Sequence, residues 1–426
     1  MNNSIETFYS DLRKLKEGKL AIFLGAGSSY DYGIPTMEEM ASMLVNELKK
    51  PEKKSFFDSD TINVLSAISG FSEAQKGSGN KSSAKELDWN VEDLLTRLHN
   101  ILDAVGDKKT PFPAVTTTIG SVNFSKEQIQ AAESKLIEFM VKCYQLDVTE
   151  KTSHGDGSIE YLANYFEFLG EFHNSIYIFT TNNDLCIEAA IMRLSQKQKS
   201  SKKKEFYLID GFSHGILPTF SISNFSLDLP KSPNRVIVYL WKLHGSIDWR
   251  FTNPIQNSDT NKSDEKFEFS DESIICRYFK ADCWGEFQKA GAISKNSSID
   301  KSKIMIFPTP SKYSQTYSNP YMDLYQSFRR ILETAELLLV VGTSFPDGHI
   351  NSAIKSFVGR DNTLVYIADP MLKDEEVNNI LGKCEAIQPV IQVGFKDLIN
   401  NLYEIELAHE ENVSEENNKN ESMNNE

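Results

Sequence analysis

Residues 19–36 constrain this chain more than any other stretch. An apolar run, Leu20 to Leu24, leads into Gly25-Ala26-Gly27-Ser28-Ser29. A short apolar run that ends in glycines predicts a buried parallel strand entering a helix. Gly25 and Gly27 carry no Cβ, so a pyrophosphate can approach the backbone closely. The N–H groups and positive dipole of a following helix would then favour the anion. The spacing falls short of the full G-x-G-x-x-G fingerprint, because the third glycine would stand at position 30, which is Tyr30. By itself the motif also fits a tight structural turn.

Four further strand ends carry polar groups. Ser175 to Phe179 is a β-branched and aromatic strand that ends in Thr180-Thr181-Asn182-Asn183-Asp184, with a helix from Leu185 to Leu194. Arg235 to Leu240 runs toward Leu243-His244-Gly245-Ser246. Glu336 to Val341 feeds Gly342-Thr343-Ser344, and Leu364 to Ala368 precedes Asp369. Polar groups just past the carboxyl ends of strands lie where open α/β sheets bind ligands. The blander alternatives are an Asn/Asp helix cap at 182–184 and a structural histidine at 244.

The remaining segments predict a mostly helical insertion. Thr36, with Glu39 three residues on, is a capping box before a helix over 37–50. Residues 51–87 are polar and predict a surface excursion, with a flexible turn at Gly77 to Asn80. Val91, Leu94, Leu95 and Leu98 share one helical face. Residues 107–124 predict a Pro/Thr-rich loop, 126–147 a long helix and Tyr161 to Phe172 an aromatic core helix. Residues 196–204 and 252–272 predict solvated loops, and Ile304 to Thr309 another strand. Tyr321 to Ala335 and Ile350 to Gly359 predict helices. A short strand near 386–393 and a helix near 396–403 close the domain. The expected layout is therefore an α/β, Rossmann-like parallel sheet with helices on both faces. Its core spans about 18–36 and 174–405, the helical insertion about 37–173. Residues 409–426 are expected to be an acidic, disordered tail: from Glu410 on there are six Glu and one Lys.

A net charge of −15 argues against a general nucleic-acid binder. No run approaches the length of a membrane span, and residues 1–18 are no secretory signal, so the expected location is the cytoplasm. Five cysteines without a C-x-x-C pair argue against a disulfide framework and a four-cysteine zinc site. Cys276 and Cys283 are expected to be ordinary thiols.

Taken in order, these stretches resemble the sirtuin family in its bacterial sirtuin-like branch. Gly25-Ala26-Gly27-Ser28-Ser29 with Gly33-Ile34-Pro35 resembles the nucleotide-binding G-A-G-x-S…G-I-P signature. Thr180 to Asp184 resembles T-Q-N-x-D, Leu243 to Ser246 resembles L-H-G-[ST], and Gly342-Thr343-Ser344 resembles the late G-T-S turn. Sirtuin deacylases carry a four-cysteine zinc module and continue after Gly-Ile-Pro with Asp-Phe-Arg; this chain lacks the module and continues Thr36-Met37-Glu38. These departures resemble the sirtuin-like NAD hydrolases of antiphage defence, which deplete NAD in the infected cell. The resemblance implies NAD as substrate, no zinc, a homo-oligomer and a HerA-type ATPase acting in trans.

The implied reaction is hydrolysis of NAD to nicotinamide and ADP-ribose. The implied catalytic residues are Asn182 for a water or ribose hydroxyl, His244 for proton removal, and Asp184 for the nicotinamide ribose or developing positive charge. The implied NAD contacts are Gly25, Ala26, Gly27, Ser28, Ser29, Pro35, Thr180, Gly342, Thr343, Ser344 and Asp369. A metal ligand set is not implied. The alternatives left open are an NAD-dependent protein deacylase and an NAD- or ADP-ribose-sensing assembly subunit with little chemistry.

Overall fold

The computed structural model describes residues 2–70, 89–105, 117–119, 122–145, 158–197, 204–213, 218–226, 232–252, 274–277 and 320–423. The strands, in chain order, are β1 (Leu20–Leu24), β2 (Thr117–Ile119), β3 (Val122–Phe124), β4 (Ser175–Thr180), β5 (Glu205–Ile209), β6 (Arg235–Lys242), β7 (Trp249–Thr252), β8 (Ile274–Arg277), β9 (Leu337–Val341) and β10 (Leu364–Ala368). Six of them form one sheet in the order β10-β9-β1-β4-β6-β5, and every pairing in it is parallel. This is the Rossmann-like α/β fold expected from the sequence.

The period of a strand sorts its side chains onto two faces. Ile22, Leu24, Ile178, Leu339 and Val341 point into one core. Phe23, Phe179, Trp241, Leu338 and Val340 point into the other. The first core is covered by helices Asn2–Lys14, Met37–Lys49, Glu160–Phe172 and Phe395–Met423, and the second by Tyr321–Thr334, Gly348–Val358 and Asp374–Leu381. A strand buried on both sides has no reason to alternate with polar residues. That is why β1 and β9 are apolar throughout.

The insertion is helical, as expected. Thr36 and Glu39 form the capping box of Met37–Lys49. Helices Ser59–Ser69, Val91–Val105 and Lys126–Tyr144 pack on one another. Val91, Leu94, Leu95 and Leu98 are all buried inside the chain. Helix Glu160–Phe172 instead packs on Cys186–Lys197, the Phe395 helix and β4.

Several expectations need correcting. The stretch after Gly25 is a 3-10 helix, Ala26–Tyr32, ended by Gly33 at φ 117°. Residues 59–69 form a helix where a surface excursion was expected: Asp58 accepts the Thr61 N–H at 2.8 Å, Gly70 ends it at φ 70°, and Ile62, Val64, Leu65 and Ile68 are buried. β2 and β3 pair as a hairpin inside the expected Pro/Thr loop. The edge strand β5 follows the Lys/Ser-rich stretch that masked its short apolar pattern. Near 386–393 the chain makes only isolated bridges, Val365 to Ile387 and Ala368 to Ile391. The last helix runs through the expected disordered tail to Met423. No proline or glycine follows Gly394, and the many glutamates are good helix formers. The expected turn at 77–80, most of the 252–272 stretch, the 304–309 strand and Cys283 lie outside the described residues.

Candidate active site

From β1 the chain moves to β4 on one side, and from β6 it returns to β9 on the other. The strand order therefore reverses between β1 and β9, where an open α/β sheet leaves a crevice at its carboxyl edge. The two glycine turns meet there. The Gly25 N–H donates to Val341 O at 2.8 Å, and the Gly27 N–H donates to Gly342 O at 2.9 Å. A Cβ on Gly25 would stand 2.5 Å from Gly342 O, and one on Gly342 would stand 2.6 Å from the Gly27 backbone. Gly342 also sits at φ 62°. The missing Cβ atoms are thus required first by backbone packing between the turns, and both glycine N–H groups are engaged within the protein. The rim is formed by exposed Ala26 and half-buried Gly27.

The end of β4 is tied to the same turn. Thr180 donates its hydroxyl to Leu24 O at 2.7 Å and accepts the Asn182 N–H at 3.0 Å. The Asn182 side-chain amide donates to Gly25 O at 2.9 Å and lies 3.2 Å from both the Ser28 and Ser29 hydroxyls. Ser28 in turn donates to Gly25 O at 2.7 Å, and Tyr161 donates to Ser28 O at 2.8 Å. Five of the expected residues, Gly25, Ser28, Ser29, Thr180 and Asn182, therefore form one buried hydrogen-bond knot. Its amide nitrogen is committed to the knot, which leaves Oδ1 as the Asn182 atom for a ligand. Asn182→Ala leaves a carbonyl and two hydroxyls short of a donor. The expected cost is about 1–3 kcal/mol of stability, read as a lowered midpoint in urea unfolding. An unchanged midpoint would show the knot to be dispensable.

Asp184 is buried, and its carboxylate accepts the Cys186 N–H at 2.9 Å at the start of helix Cys186–Lys197. Its carbonyl accepts a hydrogen bond from Lys242 Nζ. The capping role that the sequence left open is therefore real. Burial pushes the neighbouring Cys186 thiol well above its usual range, which makes it a poor nucleophile. Asn183, which the sequence reading passed over, joins β4 to the loop after β6. Its carbonyl accepts the Ile247 N–H at 3.0 Å, and its amide, oriented to donate, reaches His244 O at 2.9 Å and Gly245 O at 3.1 Å.

His244 is 4% exposed, and Asp347, at the start of helix Gly348–Val358, is 5% exposed. The His244 Nε2 lies 3.7 Å from Asp347 Oδ2. The His349 ring stands beside the His244 ring at 6.2 Å and 28°. Asp347 is the residue that sequence reasoning missed. It follows the Gly342-Thr343-Ser344 turn by three residues, and its pairing with His244 depends on two strands on opposite sides of β1. Between them Phe345 holds a left-handed φ of 57°, a costly conformation for an aromatic residue. Its N–H donates to Thr343 Oγ1 at 3.2 Å, and Ser344 is exposed at the rim.

Pro35 is buried before the Thr36 capping box. Asp369 caps its own turn, accepting the Met371 and Leu372 N–H groups at 2.9 and 3.0 Å. The structure thus brings together the turns at 25–29, 180–184, 243–246 and 342–347. Among the described residues no group of three or more His, Cys, Asp or Glu side chains is placed to hold a metal ion.

Residues 177–383 match the SIR2-like domain. The matched SIR2-like segment holds Asn182, Asp184, His244, Gly342 and Asp347 and begins after the Gly25 turn. A structure described as "Structural Basis for the Mechanism and Regulation of Sir2 Enzymes" shares 12% identity, covering 95% of this chain and 100% of that one, with a TM-score of 0.39. A crystal structure of a Sir2 homolog–NAD complex shares 12% identity over 94% of each chain, with a TM-score of 0.34. No curated protein matches the chain. No helix among the described residues is long and apolar enough to cross a membrane.

Proposed function

We propose that this chain is an NAD glycohydrolase, cleaving NAD with water to nicotinamide, ADP-ribose and a proton. The observation that carries the reading is the buried His244–Asp347 pair at the crevice edge, beside the interlocked glycine turns. The SIR2-like match over 177–383 and the NAD held by the similar Sir2 homolog point to the same substrate.

The bond to nicotinamide breaks with the leaving group departing neutral from a cationic ring. The transition state resembles an oxocarbenium ion, and little acid catalysis is needed. Orientation and a proton acceptor for water are needed. An imidazole can take up a proton at one ring nitrogen while the other faces a carboxylate, so His244 suits removal of a proton from water or a ribose hydroxyl. Asp347 faces the ring nitrogen, fixes its orientation and stabilises the imidazolium that forms. Asn182 offers Oδ1 to a ribose hydroxyl or the water, while its nitrogen keeps the turn in place. Ala26, Gly27 and Ser344 form the rim against which the phosphates and adenosine would lie. Asp184 acts through the helix it caps and through Lys242.

The reading includes antiphage defence by NAD depletion, with a HerA-type ATPase in trans, a homo-oligomer and no zinc. The apolar faces of the insertion helices are buried within the chain, so an oligomer would use other surfaces.

The test is nicotinamide release from NAD by the purified chain, with and without an acyl-lysine peptide. Release without peptide is expected. Release only with peptide would make the chain a deacylase, and tight NAD binding without release would make it a sensing subunit. Asp347→Asn keeps size and hydrogen-bonding capacity but removes the charge that stabilises the imidazolium. It is expected to lower kcat by about 10-fold or more with the fold intact. Unchanged kcat would remove Asp347 from the mechanism.

A further inference from the structure

A buried charge network lies at the carboxyl ends of β4, β5 and β6, beyond the His244–Asp347 pair. Its centre is Arg277, the last residue of β8, which pairs opposite Trp249 in the hairpin with β7. Its Nε lies 2.7 Å from Asp248 Oδ2 and its Nη2 lies 2.6 Å from Asp210 Oδ2. The Glu188 carboxylate is 4.0 Å away, and the guanidinium rests on the Phe212 ring at 4.6 Å. Glu188 also lies 3.1 Å from Lys242 Nζ, which bonds the Asp184 carbonyl. Two cations thus face three carboxylates, all largely buried. Burial by itself lowers the Arg277 pKa, but Asp248, Asp210 and Glu188 outweigh it and raise it. Burial raises the Glu188 carboxyl, Lys242 and Arg277 oppose this, and the net direction is up.

The partners of Arg277 come from separate places in the chain: Asp210 just after β5, Glu188 on the helix that Asp184 caps, and Asp248 four residues after His244. The loop between His244 and Asp248 is short and pinned at its other end. Gly245 turns at φ 79°, its N–H donates to Lys242 O at 3.1 Å, and the Trp249 N–H donates to Ser246 O at 3.2 Å. A displacement of Asp248 therefore has little slack before it reaches His244. The planar, delocalised guanidinium meets both carboxylates at ion-pair distance at once, which the single point charge of an ammonium does less well.

We propose that Arg277 is a positioning residue: by clamping Asp210 and Asp248 it sets the 243–248 loop and so places the His244 ring. The catalytic consequence rests on the proposed NAD cleavage; the placement of the loop does not.

The test is Arg277→Lys in the full chain, which keeps the charge and loses the planar guanidinium. Two readouts are taken. Amide hydrogen exchange at 243–248 is expected to speed by about 10-fold or more, while the β1 amides keep their protection. Nicotinamide release is expected to lose about 10-fold in kcat with KM for NAD within about 3-fold, the pattern of a misplaced catalytic group. Unchanged exchange at 243–248 overturns the proposal, whether or not the wild type cleaves NAD. Faster exchange with no nicotinamide release from wild type upholds the clamp and rejects the NAD reading alone. Faster exchange with unchanged kcat overturns the link to His244. If Arg277→Lys does not fold, Arg277→Gln with Asp248→Asn replaces it, removing one charge of each sign, and the same exchange readout decides.

Discussion

His244→Ala lowers nicotinamide release from NAD by about 10²-fold or more in kcat, the usual scale for a lost general base. The expectation rests on the position of the ring more than on its identity. It is almost wholly buried at the sheet's carboxyl edge, and a carboxylate faces one of its nitrogens. A structural histidine in the same place would also be missed, because its removal takes away a buried ring that faces the Asp347 carboxylate. His244→Gln separates the two roles. The amide fills much of the space and retains hydrogen-bonding groups, so the unfolding midpoint should stay near that of wild type while turnover falls as in His244→Ala. Near-normal turnover in either variant would remove His244 from the chemistry. A lowered midpoint in both, with turnover scaling to the folded fraction, would leave it a structural residue.

Gly342→Ala is the substitution with the largest expected effect on the fold. Two independent costs add. The residue holds φ 62°, where an L side chain is disfavoured by roughly 1–2 kcal/mol. The new methyl would also stand 2.6 Å from the Gly27 Cα and carbonyl carbon and from the Ser28 nitrogen. Those are backbone atoms that cannot swing aside as the end of a side chain would, and overpacking of this kind costs about 1–3 kcal/mol. A total of about 3 kcal/mol corresponds to a fall in Tm of about 3–4 °C for a chain of this size. Gly359→Ala is the control, since its Cβ would meet nothing closer than 3.6 Å. Equal effects of the two substitutions would mean that the interlocked turns do not matter to stability.

Much of the sheet was legible because its signal is local. β1, β4, β6, β9 and β10 are largely apolar runs that lead into glycine-containing or polar turns, and the cap signal at Thr36 is read over four residues. β5 was hidden because an edge strand needs to bury only part of its surface, and Phe206 and Ile209 are too few to stand out. The 59–69 helix was hidden for a similar reason: its buried residues are interleaved with Ser, Asp and Asn, although Asp58 and Gly70 mark its ends.

The site divides in the same way. The turns at 25–29, 180–184, 243–246 and 342–344 were found from residue type and strand-end position. What each residue does was not. Gly25 and Gly27 yield room to another backbone turn, Asn182 knots two turns together and Asp184 caps a helix. Asp347 and Arg277 went unnoticed because a lone aspartate or arginine has no local signal; its meaning lies in a partner more than a hundred residues or a strand away. The sequence by itself determined the layered α/β class and which strand ends carry polar chemistry, since hydrophobic period and glycine placement act over a few residues. Only the tertiary structure decided which of those ends meet, because strand order places β9 beside β1 and the buried hydrogen bonds and charges then select their partners across the sheet.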